Sequence, residues 1–282
     1  MAPRAQTLAL LAMAVATTGI EAVLLDMAQD SFDDQYQGCA PAMTEALPAL
    51  NRSEFLQNPL FAQAWTKATA EWQSQGSRVS LLASPAQAIA LMAYTRDDLY
   101  REFNAAVRTA GRSRQEYQDN FHFKTLHFLL TQALVMLRQA LKGQCHNVYR
   151  GVSKYQFKAK PGDIVRFGQF SSASKSETTA KDFGSATVFQ VYTCHGAEIW
   201  KFSNYPDEKE VLIPPFETFE VIKVSQEGER ARIQLRSHGT FSKYNCEWLK
   251  GDATAGSVPR ATFHLGGLLL ATTALAAATG IL

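Results

Sequence analysis

The period of the apolar residues changes at Cys145, and this change constrains the fold more than any other feature. Upstream, Leu126, Leu129, Leu130, Leu134 and Leu137 recur at intervals of three and four and stop before Gly143. That spacing predicts a helix with one apolar face. Leu99, Phe103 and Val107 repeat every fourth residue, and Ser84-Pro85 opens a helix carrying Ile89, Met92 and Ala93. Proline is favoured at a first helical position because its missing N–H would have no partner there. Ser53 is placed to cap a further helix through Phe55, Leu60, Phe61, Trp65 and Trp72, with Pro59 in an early turn. Downstream of Cys145 come short β-branched and aromatic segments at 148–151, 163–167, 187–194, 199–202, 210–213, 219–224 and 230–235, separated by Gly, Pro, Asn or Ser. Helices followed by strands predict an α+β fold rather than a doubly wound sheet.

Both ends of the 282-residue chain are apolar. Arg4 precedes the run Leu8 to Ala16, and small residues follow from Thr17. A basic residue, an apolar core too short to span a bilayer and small residues beyond are expected of a secretory signal over residues 1–22. The segment from Leu265 to Leu282 carries no charge, and the small residues Ala253 to Ser257 and a polar spacer precede it. That order is expected of a GPI-attachment propeptide at 254–282; the rival readings are an ordinary membrane helix and a weak signal that leaves the protein secreted. Between them lies an expected catalytic domain, residues 23–253, outside the cytosol, where disulfides persist. Its four cysteines, Cys39, Cys145, Cys194 and Cys246, allow three pairings. A Cys145–Cys194 bridge would staple neighbouring strands, and Cys39–Cys246 would close the domain. Asn51-Arg52-Ser53 is a glycosylation sequon.

Lys plus Arg exceeds Asp plus Glu by only two, a weak basis for binding nucleic acid through phosphates. CxxC pairs, GxGxxG after a strand, GxxxxGK[ST] and GxSxG are absent. Asp182-Phe183-Gly184 matches a kinase triplet whose companion motifs are missing. His122 and His127 lack metal-ligand spacing and are expected to pack or face solvent.

Three pieces remain that can carry chemistry: Tyr149-Arg150-Gly151 at a strand, Ser172-Ala173-Ser174 after another, and Glu208-Lys209-Glu210 leading into Val211-Leu212-Ile213-Pro214-Pro215. If the last segment is extended, Glu208 and Glu210 project on one face, with Cα atoms roughly 6.6 Å apart. Two carboxylates so placed suit cleavage of a glycosidic bond, where one steadies an oxocarbenium-like centre and the other prepares the attacking group.

In order, spacing and identity, these pieces resemble the R-S-E signature of arginine-specific mono-ADP-ribosyltransferases, and EVLIPPFETF after the glutamates resembles the vertebrate ecto-enzymes. Ala173 stands where many relatives carry Thr. The resemblance implies a helical N-terminal half and a strand-rich NAD-binding core of two packed sheets. It implies Arg150, Ser172 and Glu210 as the catalytic set and Glu208 as the residue binding the acceptor arginine. Arg150, Gly151, Ser172, Ser174 and Phe183 would hold NAD (or NADP), with Gly151 allowing close approach of the nicotinamide. Phe183 would stack on the nicotinamide, the alternative being a packed core ring, and Tyr205 would shape the acceptor surface. The implied pairing is Cys39–Cys246 and Cys145–Cys194. NAD is expected as co-substrate, with no metal. The expected partners are arginine-containing extracellular proteins or small guanidines, and the membrane through a GPI anchor; no nucleic acid is expected, and the chain is expected to act as a monomer at the cell surface. NAD hydrolysis and a catalytically silent recognition module are the alternative functions.

Overall fold

A computed structural model describes residues 20–228 and 230–252. The expected signal (all but its last three residues) and the whole expected propeptide lie outside the described residues. The expected boundary at residue 22 falls inside β1 (Glu21–Leu24), which cleavage at or before Ile20 would leave whole.

Six helices fill the first half: α1 (Ala40–Gln57), α2 (Pro59–Ser74), α3 (Pro85–Tyr94), α4 (Tyr100–Ala110), α5 (Arg114–Asn120) and α6 (Lys124–Ala140). The leucines of α6 are all buried, together with Phe61, Leu99, Phe103 and Val107. Each such side chain contributes roughly 1.5–3 kcal/mol when buried. Ser53 does not start a helix: it lies inside α1, and the break comes at Asn58, whose side chain accepts from the Phe61 N–H at 3.0 Å. Pro59 suits the first position after such a break, where its missing N–H would have had no helical partner. The start of α6 is capped from a distance: Glu54 of α1 accepts from the backbone N–H groups of Lys124 and Thr125, at 2.5 and 2.9 Å. His127 is buried with Nδ1 2.8 Å from the Tyr36 hydroxyl, and burial pulls its pKa down to about 3.

The second half contains β2 (His146–Val152), β3 (Tyr155–Lys158), β4 (Ile164–Val165), β5 (Ser171–Ser174), α7 (Glu177–Asp182), β6 (Thr187–Thr193), β7 (Ala197–Glu198), β8 (Glu210–Ile213), β9 (Glu217–Glu227), β10 (Arg230–Thr240) and α8 (Glu247–Asp252). The segment 199–202 is not a strand: Trp200–Phe202 forms a 3₁₀ turn whose Phe202 and neighbouring Ile199 are buried in the helical core. Apart from a parallel β1–β3 pair, the strands form one ladder in the order β4-β9-β10-β6-β2-β5-β8-β7. The join between β2 and β5 is a single pair, Tyr149 with Ser174. The ladder therefore bends there into a five-stranded arm and a three-stranded arm. Ala173, Val211 and Ile213 of the short arm share a core with Val148, Phe189, Val191, Phe219, Ile233 and Leu235 of the long arm. Leu212 and Ala197 face the other way, into the helical core. A strand covered on both faces needs a continuous apolar run, and Val211-Leu212-Ile213 supplies it.

Two disulfides brace this frame, Cys145–Cys194 and Cys39–Cys246. The second closes the domain beside a buried ion pair, Arg166 Nη1 to Asp33 Oδ2 at 2.6 Å. Asp33 Oδ1 also accepts from the Lys243 and Tyr244 N–H groups. Glu217 of the ETF sequence is buried too, accepting from Thr193 Oγ1, Ser237 Oγ and the N–H groups of Cys194 and His195.

Candidate active site

A cleft of about 710 Å³ opens at the bend, between β2, β5, the start of β8 and the α3–α4 region. Arg150, Gly151, Ser172, Ser174, Phe183, Tyr205, Glu208 and Glu210 all line it. The structure thus gathers every residue predicted for catalysis or for binding NAD and the acceptor around one space.

Glu210 is the first residue of β8 and pairs with Ser174, while Ser172 pairs with Leu212. Opposed residues in an antiparallel ladder project to the same face, so this register puts Ser172, Ser174 and Glu210 on one side. Glu210 is 5% exposed. Burial pushes its pKa up to about 7, and the Glu208 charge adds to the rise. A hydrogen bond from Ser172, the Ser203 hydroxyl 3.5 Å from Oε2, and the Arg150 charge act the other way. Desolvation is the strongest of these influences.

Arg150 donates from Nη1 to the Ser172 carbonyl at 2.6 Å. Burial lowers its pKa, against the opposing influence of Tyr94, Tyr100 and Glu210. A guanidinium remains charged throughout the working range. Ser172 is therefore the bridge of the site: its carbonyl fixes the arginine and its hydroxyl steadies the glutamate. That hydroxyl also lies 3.5 Å from the Tyr94 hydroxyl, which donates to the Phe170 carbonyl at 3.0 Å and accepts from Asn104.

Ser174 has a different task. Its hydroxyl donates to the Glu208 carbonyl at 2.7 Å and accepts from the Ser176 N–H, so it locks the loop that carries Glu208. The extended Glu-x-Glu geometry is not what forms. Glu208 ends a 3₁₀ turn, Pro206–Glu208, and Lys209 adopts a left-handed conformation with φ 48° and ψ 48°. Both carboxylates reach the same cleft because the chain turns at Lys209, not because two side chains alternate along a strand. A non-glycine residue in that region costs roughly 1–3 kcal/mol and is concentrated at functional sites. The Glu208 carboxyl is half-buried, and burial together with the Asp97 charge raises its pKa.

Gly151 lines the cleft, yet the chain itself forbids a side chain there. A Cβ would meet the Ala180 carbonyl oxygen at 2.1 Å and that of Gly184 at 2.3 Å. Phe183 is not a packed core ring: it is 57% exposed at the edge of the cleft. Ala173, between the two serines, is buried in the core between the two arms.

Residues 25–243 match the family model described as NAD:arginine ADP-ribosyltransferase. The chain belongs to the NAD:arginine ADP-ribosyltransferase family. An erythroblast NAD(P)(+)--arginine ADP-ribosyltransferase of Gallus gallus is 51% identical over 234 residues, 82% of this chain and 78% of that protein. The Homo sapiens GPI-linked NAD(P)(+)--arginine ADP-ribosyltransferase 1 is 49% identical over 245 residues, 81% of this chain and 75% of that protein. Among solved structures, the eukaryotic mono-ADP-ribosyltransferase ART2.2 superposes with a TM-score of 0.69 at 37% identity, covering 79% of this chain and 98% of that one. A variant of ART2.2 has been solved in complex with NAD.

Several residues of this transferase cleft gave no signal in the sequence. Tyr94, Asn104 and Asp97 reach it from the helical half, and Arg101, Arg108 and Lys154 add positive charge to its lining. Ser203 sits below Glu210 and also accepts from the Tyr205 N–H at 3.0 Å. Only tertiary packing brings them to the signature residues, more than forty positions away for Tyr94 and Asn104. Among the described residues, no group of three His, Cys, Asp or Glu side chains is arranged to hold a metal ion. A space lined by both guanidinium and carboxylate groups matches a dinucleotide, which offers an anionic pyrophosphate and a cationic nicotinamide ring.

Proposed function

We propose that this chain cleaves the nicotinamide–ribose bond of NAD and transfers ADP-ribose to arginine side chains of extracellular or cell-surface proteins. The observation that carries the reading is Glu210, buried yet open to the cleft, with Ser172 tying it to Arg150. In this reading Arg150 holds an anionic part of the dinucleotide and Phe183 stacks on an exposed ring of it. Nicotinamide leaves with the electron pair of the broken bond as a neutral molecule, and the Glu210 carboxylate steadies the positive charge left on the ribose. An acceptor guanidinium nitrogen then bonds to that carbon, and Glu208 takes its proton. The guanidinium gives up a proton only near pH 12 or above in water, so bond formation needs a base at hand.

The pairing of relatives named GPI-linked with an apolar C-terminal segment supports attachment to the outer cell surface. Among the described residues no helix is long and apolar enough to cross a membrane. Asn51, half-buried in α1, is the proposed glycosylation site.

The test uses labelled NAD with agmatine as acceptor. Glu210→Gln should abolish both transfer and hydrolysis. Glu208→Gln should remove transfer to agmatine and leave NAD hydrolysis as the surviving reaction. Substantial turnover in the first variant, or equal loss of both reactions in the second, would overturn these assignments.

A further inference from the structure

We propose that Asp97 is a specificity-determining residue for the acceptor, forming with Glu208 a two-carboxylate subsite that favours acceptors carrying more than one positive charge. The inference rests on the transferase reading above and extends it to the acceptor.

Asp97 lies in the turn between α3 and α4, remote in sequence from the signature residues, and lines the same cleft as Glu208 and Glu210. It also lines a side cavity of about 220 Å³, together with Arg96, Asp98, Asn204 and Tyr205. Asp97 and Tyr205 are common to both spaces, so the side cavity continues the cleft at its acceptor wall.

The placement is built rather than incidental. The Tyr205 hydroxyl donates to Asp97 Oδ2 at 3.0 Å. One residue earlier, the Asn204 N–H and Nδ2 donate to Thr95 Oγ1 at 3.1 and 2.8 Å, and Nδ2 also donates to the Met92 carbonyl at 2.8 Å. At the other end of the loop the Glu208 carbonyl is held by Ser174. The turn bearing Asp97 and the loop bearing Glu208 are thus pinned to each other.

The charges divide unevenly. Asp98 is neutralised by Arg96, through Nε and Nη2 at 3.0 Å each, and by Lys67 at 3.0 Å. Neither Asp97 nor Glu208 has an ion-pair partner among the described residues. The Asp97 charge also contributes to the upward push on the Glu208 carboxyl, so the two carboxylates sense each other. Arg101, on the same cleft, senses the Asp97 charge without forming an ion pair with it. Two like charges on one wall without a direct ion-pair partner oppose folding and attract a cation. A guanidinium at Glu208 satisfies one of them; a second positive group on the same acceptor, entering the side cavity, satisfies the other.

The experiment compares transfer to agmatine, a dication, with transfer to ethylguanidine, a monocation. It uses the unsubstituted enzyme and the variants Asp97→Asn, Asp97→Glu and Tyr205→Phe. The readout is the ratio of kcat/KM for the two acceptors. The enzyme should favour agmatine. Asp97→Asn should lower that ratio about fivefold, the upper range for a solvent-exposed ion pair. Asp97→Glu should restore it. Tyr205→Phe breaks the hydrogen bond but keeps the charge, and should retain most of the preference. An unchanged ratio in Asp97→Asn would overturn the proposal. So would an equal fall in Tyr205→Phe, which would make Asp97 a loop tether. Transfer by the unsubstituted enzyme with an unchanged ratio refutes Asp97 alone, whereas no transfer by that enzyme removes the transferase reading and this inference together.

Discussion

Glu210→Gln should remove activity and yet make the protein more stable. The Glu210 carboxyl is 5% exposed, and burial lifts its pKa from an ordinary 4.5 to about 7. In the unfolded chain the same carboxyl releases its proton near 4.5. Between those values the native state holds a proton that the unfolded state has lost, so this residue makes stability fall as pH rises through that window. Below pH 4 its ionisation costs the fold nothing; above pH 8 the full cost is present. At 1.36 kcal/mol per pH unit the gap corresponds to about 3 kcal/mol. Glutamine has the same shape, accepts hydrogen bonds from Ser172 and Ser203, and cannot ionise. For a domain of this size about 3 kcal/mol is roughly 6–12 °C in Tm. Thermal unfolding of both proteins at pH 4, 6 and 8 reads the effect directly. The curves should coincide at pH 4 and separate progressively, with the variant higher. A variant that is less stable at pH 8, or whose advantage does not change with pH, would refute the claim that the fold pays for a buried carboxylate here.

The same group should govern the pH dependence of catalysis. In the proposed mechanism the carboxylate is the active form, so kcat/KM for NAD should fall about tenfold from pH 8 to pH 6, following a group of pKa about 7; a profile flat down to pH 5.5 would contradict this. Asp33→Asn should cost about 3–5 kcal/mol in urea unfolding, because it leaves the fully buried Arg166 charge without its partner. An unchanged midpoint would show that the ion pair does not hold the chain ends.

The α6 stripe, the Ser84-Pro85 start and the change of period at Cys145 were legible because each is a local pattern backed by burial. The signature triplets were legible because a few residue types must meet at any such site. Other features were not local. The cap of α6 is a glutamate seventy residues upstream, and no spacing reports it. The segment 199–202 has the apolar content of a strand, but Ile199 and Phe202 are buried in the helical core through a 3₁₀ turn. The Glu-x-Glu segment misled for a related reason. A charged dyad ahead of an apolar strand looks extended, and nothing local marks Lys209 as left-handed; the loop is fixed by Ser174 and by Asn204 on the end of α3.

The single-pair join between β2 and β5 explains how such a site can be rigid and open together. A full ladder at this junction would fill the space that the cleft occupies. Opening it removes backbone hydrogen bonds where the catalytic geometry must be most exact, so each arm has to be braced elsewhere. The long arm is braced by seven β2–β6 pairs and by Cys145–Cys194 at their end. The short arm is braced by packing, with Ala173, Val211 and Ile213 against the long arm and Leu212 and Ala197 against the helices. Across the gap itself, the Arg150–Ser172 hydrogen bond joins the arms through a side chain that lines the cleft. The arginine proposed to meet the substrate is therefore also a fastener of the scaffold. Its orientation is set by the strand carrying Ser172, whose hydroxyl steadies Glu210, so displacement of either arm would disturb the guanidinium and the carboxylate together.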